Sequence, residues 1–213
     1  MLDVNNLPDE IAIFPLSNAI FFPRTILPLN IFEKRYLELV SDCMKDKRLF
    51  GMVQPKLKNK NDPKVYDVGC LGKIVSFNET NDNRFIIHLS GIIRFKIKQE
   101  LKSNKLYRKF KVDYSKFIED LNETNNHEKF FENKNLIKKI KIFYKKKNYL
   151  INFNDLEKLN IDQMVSTICM ISPFSIEEKQ KLVETIKTKD KINILDEIIN
   201  FHLVDSVDTK TIQ

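Results

Sequence analysis

The side chains able to do chemistry are few and scattered. His88, His127 and His202 lie far from one another and from Cys43, Cys70 and Cys169. A metal centre needs ligands at strand or helix spacing, and the sequence holds neither a CxxC pair nor a spaced pair of histidines. A phosphate-binding loop needs several glycines so that backbone amides can wrap an anion. The four glycines come nearest to that in Gly69-Cys70-Leu71-Gly72-Lys73, which is too short for a Walker loop and sits inside a strand pattern. No Gly-x-Ser-x-Gly elbow is present. A triad assembled from distant positions would leave no such mark, but no serine stands out as a candidate. The carboxylate pairs Glu177-Glu178 and Asp196-Glu197 fall on helical surfaces, where they serve solvation or the helix dipole. No catalytic residue, metal site or cofactor is expected, and these residue types suit a protein that is not an enzyme.

Binding leaves more to work with. Ile20, Phe21 and Phe22 are three consecutive large apolar residues ahead of Pro23. They cannot all point inward from one strand, so part of the group is expected at the surface as a site for apolar polypeptide. Arg94-x-Lys96-x-Lys98 and Lys109-x-Lys111 put basic side chains on strand faces, which would form a positive patch if the strands are neighbours. That patch is the candidate for RNA. A second basic cluster, Lys138, Lys139, Lys141, Lys145, Lys146 and Lys147, shares a helix with an apolar stripe and reads as a solvated face. The net charge is +7, but only six of the 36 basic residues are arginine. Bidentate recognition of phosphate or bases favours arginine, so the lysine excess is better read as compositional.

The elements that must carry these residues divide into two kinds. Pro15, Pro23 and Pro28 fall within fourteen residues, each beside large apolar neighbours. Proline fixes φ and cannot donate to a central ladder, so this spacing suits short, kinked strands at the rim of a closed sheet. Ile93, Phe95 and Ile97 alternate with basic residues, as do Phe110, Val112 and Tyr114, which marks antiparallel strands with one wet face. Asn81-Asp82-Asn83 reads as a hairpin turn and Gly91 as a turn or bulge. One helix, from about Glu33 to Met44, interrupts the strands. After the polar connector that begins at Asn122, the spacing becomes helical around Leu136–Tyr144 and Ile161–Ile168. Ser175 and Glu178 form a capping box for a third helix, and Asp190 is placed to cap a fourth. With 42% hydrophobic residues the chain can bury a core. No apolar run approaches the roughly 20 residues of a membrane span, and the start lacks a secretory pattern, so a cytoplasmic protein is expected.

These segments resemble one family. Ile13-Phe14-Pro15-Leu16, Phe22-Pro23 and Leu27-Pro28-Leu29-Asn30-Ile31-Phe32-Glu33-Lys34-Arg35-Tyr36 are similar to the opening of the Lon protease N-terminal, substrate-binding domain. Phe50–Pro55, Val68–Ile74, Ser90–Phe95 and Pro173–Glu184 follow in the family's order. The family often has a glycine just after Phe22-Pro23, where this chain has Arg24. The resemblance implies an α+β fold: an antiparallel, PUA-like β pseudobarrel with one inserted helix over residues 7–120, then a helical bundle over 127–204. It implies a module that binds unfolded or hydrophobic polypeptide, an adaptor in protein quality control, working with a separate ATPase or protease. An RNA-binding PUA-like protein is the alternative. The chain looks like the stand-alone members, without ATPase or peptidase modules.

Overall fold

The computed structural model describes residues 4–56, 64–122, 134–156 and 158–208. The connector beyond Asn122 and His127 lie outside the described residues. Six strands form one mixed sheet: β1 (Glu10–Pro15), β2 (Ile26–Ile31), β3 (Leu49–Val53), β4 (Val68–Glu79), β5 (Phe85–Leu101) and β6 (Arg108–Asp113). Their order is β2-β5-β4-β3-β1-β6, and β5 also pairs with β6, so five strands close into a ring while β2 stays on an edge. The pairings are antiparallel except β1 with β3, which is parallel because α1 (Lys34–Met44) lies on the route between them.

β5 closes the ring by length. Its seventeen residues pair with β2 and β4 in the first half and with β4 and β6 in the second. A register shift opposite Leu71/Gly72 leaves Ile92 unmatched, a bulge beside Gly91 that bends the strand. The hairpin before β5 turns at Asn83, whose φ of 58° an asparagine tolerates.

Burial on both sides of the sheet makes two cores. Along β1, Ile11 and Ile13 join a core shared with the C-terminal helices, whereas Ala12 and Phe14 join the one under Tyr36, Leu39 and Val40 of α1. The helices are α2 (Lys134–Lys146), the short α3 (Phe153–Leu156), α4 (Ile161–Ile171), α5 (Ile176–Glu184) and α6 (Thr188–Asp208). Both capping-box bonds of α5 are made: the Ser175 amide donates to Glu178 at 2.7 Å, and the Glu178 amide donates to Ser175 Oγ at 3.2 Å. Asp190 lies in the first turn of α6 rather than at its cap. A 3-10 segment, Ser115–Leu121, leaves β6 and packs on β5.

Candidate functional site

The expectation that Ile20, Phe21 and Phe22 reach the surface is overturned. They are 4%, 2% and 0% exposed. The segment is not a strand of the sheet but lies between the two cores, so alternation buries both of its sides. Ile20 and Phe22 enter the core shared with the helices, and Phe21 enters the one under α1. The segment is clamped to β5, where the Arg24 amide donates to the Gly91 carbonyl and the Gly91 amide to the Thr25 carbonyl, both at 2.9 Å. A side chain at Gly91 would place its Cβ 2.0 Å from the Phe22 carbonyl oxygen. Arg24 takes the turn after Phe22-Pro23 at φ 60°, an uncommon conformation for a residue with a side chain.

The basic strand patch also comes apart. Arg94 is 2% exposed because the 3-10 segment packs on β5 and the end of α5 meets its guanidinium. Its guanidinium meets the Asp120 carboxylate through Nε (2.9 Å) and Nη2 (2.7 Å). It also donates to the carbonyl of Val183 in the last turn of α5 and to those of Thr185 and Ile186 just beyond it. Arg94 is therefore a tie between the sheet and the helices. Lys96, Lys98 and Lys111 are exposed and Lys109 is half-buried. Lys98 pairs with Asp113 at 2.9 Å and Lys111 with Asp9 at 3.8 Å. On α2, Lys139 pairs with Asp196 and the remaining lysines of the cluster face solvent.

The sheet's exposed apolar side chains lie elsewhere, on the outer face of β2 and its C-terminal flank, β5 and the end of β4. Ile26 and Phe32 are each 62% exposed, Val75 is 56% and Ile86 is 43%. Asn30 stands opposite Ile86, and one rung further the Arg84 guanidinium lies 5.9 Å from the Phe32 ring centre. Val75 projects here because a register shift between Ile74 and Ser76 releases it from the ladder. The opposite faces of these strands hold Leu29, Ile31, Ile87 and Leu89 in the core under α1. The free edge of β2 is blunted. Gly91 donates to the Thr25 carbonyl, so alternation turns Leu27 and Leu29 toward β5 and leaves Pro28, which has no N–H, on the open side.

A polar cleft lies where the sheet meets the helices. It holds about 560 Å³ and is lined by Arg24, Asp120, Asp162, Ser166 and the start of α6. Lys191 projects into it while 5% exposed, with Nζ 4.5 Å from the Phe22 ring centre. Burial, and then the neighbouring Arg94, push the Lys191 ammonium down from 10.5 to about 8. The fold thus disfavours the charged form. This cost is fully present below pH 8 and fades as pH rises toward 10.5.

No reactive nucleophile stands out among the cysteines. Burial pushes the Cys43 and Cys169 thiols up to about 12 and raises Cys70 as well, so their thiolates are scarce at neutral pH. Among the described residues, no three His, Cys, Asp or Glu side chains gather where they could hold a metal ion, and no helix is long and apolar enough to cross a membrane.

Comparison with known proteins decides the family. The model of the ATP-dependent protease La (LON) substrate-binding domain matches residues 10–200. The chain belongs to the Lon substrate-binding domain family. It is 24% identical to Lon protease 2 of Myxococcus xanthus over 94% of this chain and 24% of that protein. It is 26% identical to the Lon protease of Desulfosudis oleivorans over 93% of this chain and 25% of the relative. The chain thus spans about a quarter of the length of these curated relatives. Among solved structures, a Lon N-terminal domain protein from Xanthomonas campestris superposes with a TM-score of 0.60 at 19% identity, covering 87% of this chain and 96% of its own. The N-terminal domain of the Mycobacterium avium complex Lon protease gives 0.61 at 12% identity, over 90% and 98%. The ring-like sheet with its helical layer is thus the Lon N-terminal fold. The buried Phe21-Phe22 segment and the Arg94 tie are structural parts of this Lon-type domain.

Proposed function

We propose that this Lon-type domain is a non-catalytic module that holds exposed apolar segments of other polypeptides. The observation that carries this reading is the outer face formed by Ile26, Phe32, Val75 and Ile86, four large apolar side chains left open on a sheet whose other face is a packed core. The family's description as the substrate-binding domain of an ATP-dependent protease agrees with a polypeptide occupant. An unfolded chain is the form of polypeptide that offers apolar side chains for such a face to bury. Pro28 on the open edge disfavours backbone pairing by an added strand, so affinity comes from side-chain burial. An adaptor that delivers such chains to a separate ATPase or protease is the cellular role this mechanism fits.

The test is a titration of a fluorescent, permanently unfolded polypeptide at low and high salt. Micromolar binding that changes little with salt is expected, since apolar burial is not screened. Phe32→Ser with Ile86→Thr weakens it about tenfold or more, at about 1.5–3 kcal/mol per fully buried side chain, with the melting temperature nearly unchanged. Absence of binding, or binding indifferent to the double substitution, overturns the reading.

A further inference from the structure

We infer that the cleft between the 3-10 segment and the start of α6 is a binding site for a phosphate group that retains a proton. This site is separate from the apolar face and does not depend on the reading above.

Four observations converge on it. The first turn of the 21-residue α6 opens onto the cleft through Thr188 and Lys189, and a helix start presents unbonded amides and positive potential to an anion. Lys191 stands one turn in, more than nine-tenths buried, and among the described residues its Nζ makes no hydrogen bond or ion pair. The Phe22 ring centre lies 4.5 Å from it, and the Asp120 and Asp162 carboxylates act on it only through space. The Ser166 hydroxyl, on a residue 5% exposed, likewise makes no hydrogen bond among the described residues. Arg24 is held by Nη1, which donates to the carbonyls of Asp120 (2.8 Å) and Asn122 (3.0 Å), while its Nε is buried without a partner.

The charges favour an anion. Arg94 and Asp120 neutralise each other. Arg24, Lys187, Lys189 and Lys191 then line the cleft against Glu119 and Asp162. Unpaired buried donors are costly, and an oxyanion satisfies several at once.

Asp162 selects which oxyanion. One carboxylate oxygen accepts from the Thr188 hydroxyl, and the other, Oδ2, is buried with no donor. A bare dianion would be repelled there. A phosphate bearing a P–OH can donate to Oδ2 while its remaining oxygens accept from Lys191, Arg24 Nε and the α6 amides. Sulfate has no proton to give and is disfavoured. The volume exceeds that of the phosphate group alone, so a monoester also has room.

The experiment is thermal unfolding of the full chain at pH 6, where phosphate and its monoesters keep a proton. Inorganic phosphate, glycerol 3-phosphate, sulfate and chloride are compared at equal ionic strength. Phosphate or its monoester is expected to raise the melting temperature by about 3 °C or more over chloride, with sulfate giving less than half of that. A response to the ion alone identifies a free anion as the ligand, and a larger response to the ester identifies a phosphorylated molecule. Lys191→Met should lose the phosphate response and, in chloride, melt above wild type, because an unpaired buried ammonium is gone. Asp162→Asn should let sulfate match phosphate. In a ¹⁵N-labelled wild-type chain, phosphate should shift the amides of Thr188, Lys189 and Ser166. Equal effects of phosphate, sulfate and chloride overturn the inference, as do a phosphate response that survives in Lys191→Met and amide shifts confined to 138–147.

Discussion

The Arg94 guanidinium divides its donors between two elements, the Asp120 carboxylate and three carbonyls at the end of α5. The Arg94 amide also donates to Asp120 Oδ2 at 3.0 Å, so the carboxylate is fixed by side chain and backbone of one residue. Removing one member of such a pair strands the other charge away from water. Arg94→Ala is therefore expected to cost about 3–5 kcal/mol, read as a lowered urea midpoint at pH 7. Arg94→Lys should recover only a minor part, since a single ammonium cannot bridge the carboxylate and the helix-end carbonyls together. A loss below about 1 kcal/mol in Arg94→Ala would show that the tie contributes little. Nothing in the local sequence announced this role. Alternation with Ile93 and Phe95 put Arg94 on a wet face, but alternation reports only that two faces differ. It does not say that a second layer covers the polar one, and the partners lie 26 and about 90 positions away.

At the scale of elements, local chemistry was readable and burial was not. The Ser175–Glu178 box and the Asn83 turn depend on residues within three or four positions, and both form as their side-chain chemistry dictates. The Ile20–Phe22 segment misleads because three consecutive apolar side chains cannot all point inward from one strand. It is no such strand, and runs between two cores that take Ile20 and Phe22 on one side and Phe21 on the other. Its docking on β5 is tested most sharply at Gly91. Gly91→Ala forces a methyl within 2.0 Å of the Phe22 carbonyl oxygen. Backbone on both sides of that contact is hydrogen-bonded, so neither can yield without breaking the Arg24 and Thr25 bonds. A loss of about 3 kcal/mol, at the upper end of ordinary overpacking, or failure to fold is expected. Ser90→Ala, one residue earlier and only half-buried, serves as the control and should cost little. Near-wild-type stability of Gly91→Ala would mean that the segment does not sit on β5 as described.

For the whole molecule, the question is whether sheet and helices are separate folding units. Sequence composition changes sharply near Asn122, which invites a boundary between 7–120 and 127–204. The packing runs across that boundary. One core holds Phe95 and Phe117 of the first half together with Phe143, Val165, Leu182 and Leu195 of the second. Gln54 at the end of β3 donates to the Ile176 carbonyl and the Gln180 side chain, both at 3.1 Å, and Lys179 reaches the Asn18 carbonyl at 2.6 Å. With Arg94, these bonds make the helices a lid on one side of the sheet, and exposing either surface alone would uncover large apolar area. Native-state hydrogen exchange should therefore give the slowest amides of β4 and β5 the same opening free energy as those of α4 and α5, within about 1 kcal/mol. Arg94→Ala should lower both together. If the helices instead open several kcal/mol more easily than the sheet, and Arg94→Ala weakens only the helices, the two halves are separate units joined by a removable tie. The apolar face, Ile26, Phe32, Val75 and Ile86 on β2, its flank, β4 and β5, is left uncovered by that lid and takes no part in the core beneath it. Joint opening would then leave polypeptide capture by that face independent of helix motion, so Phe32→Ser with Ile86→Thr should weaken binding without changing exchange in α4 or α5.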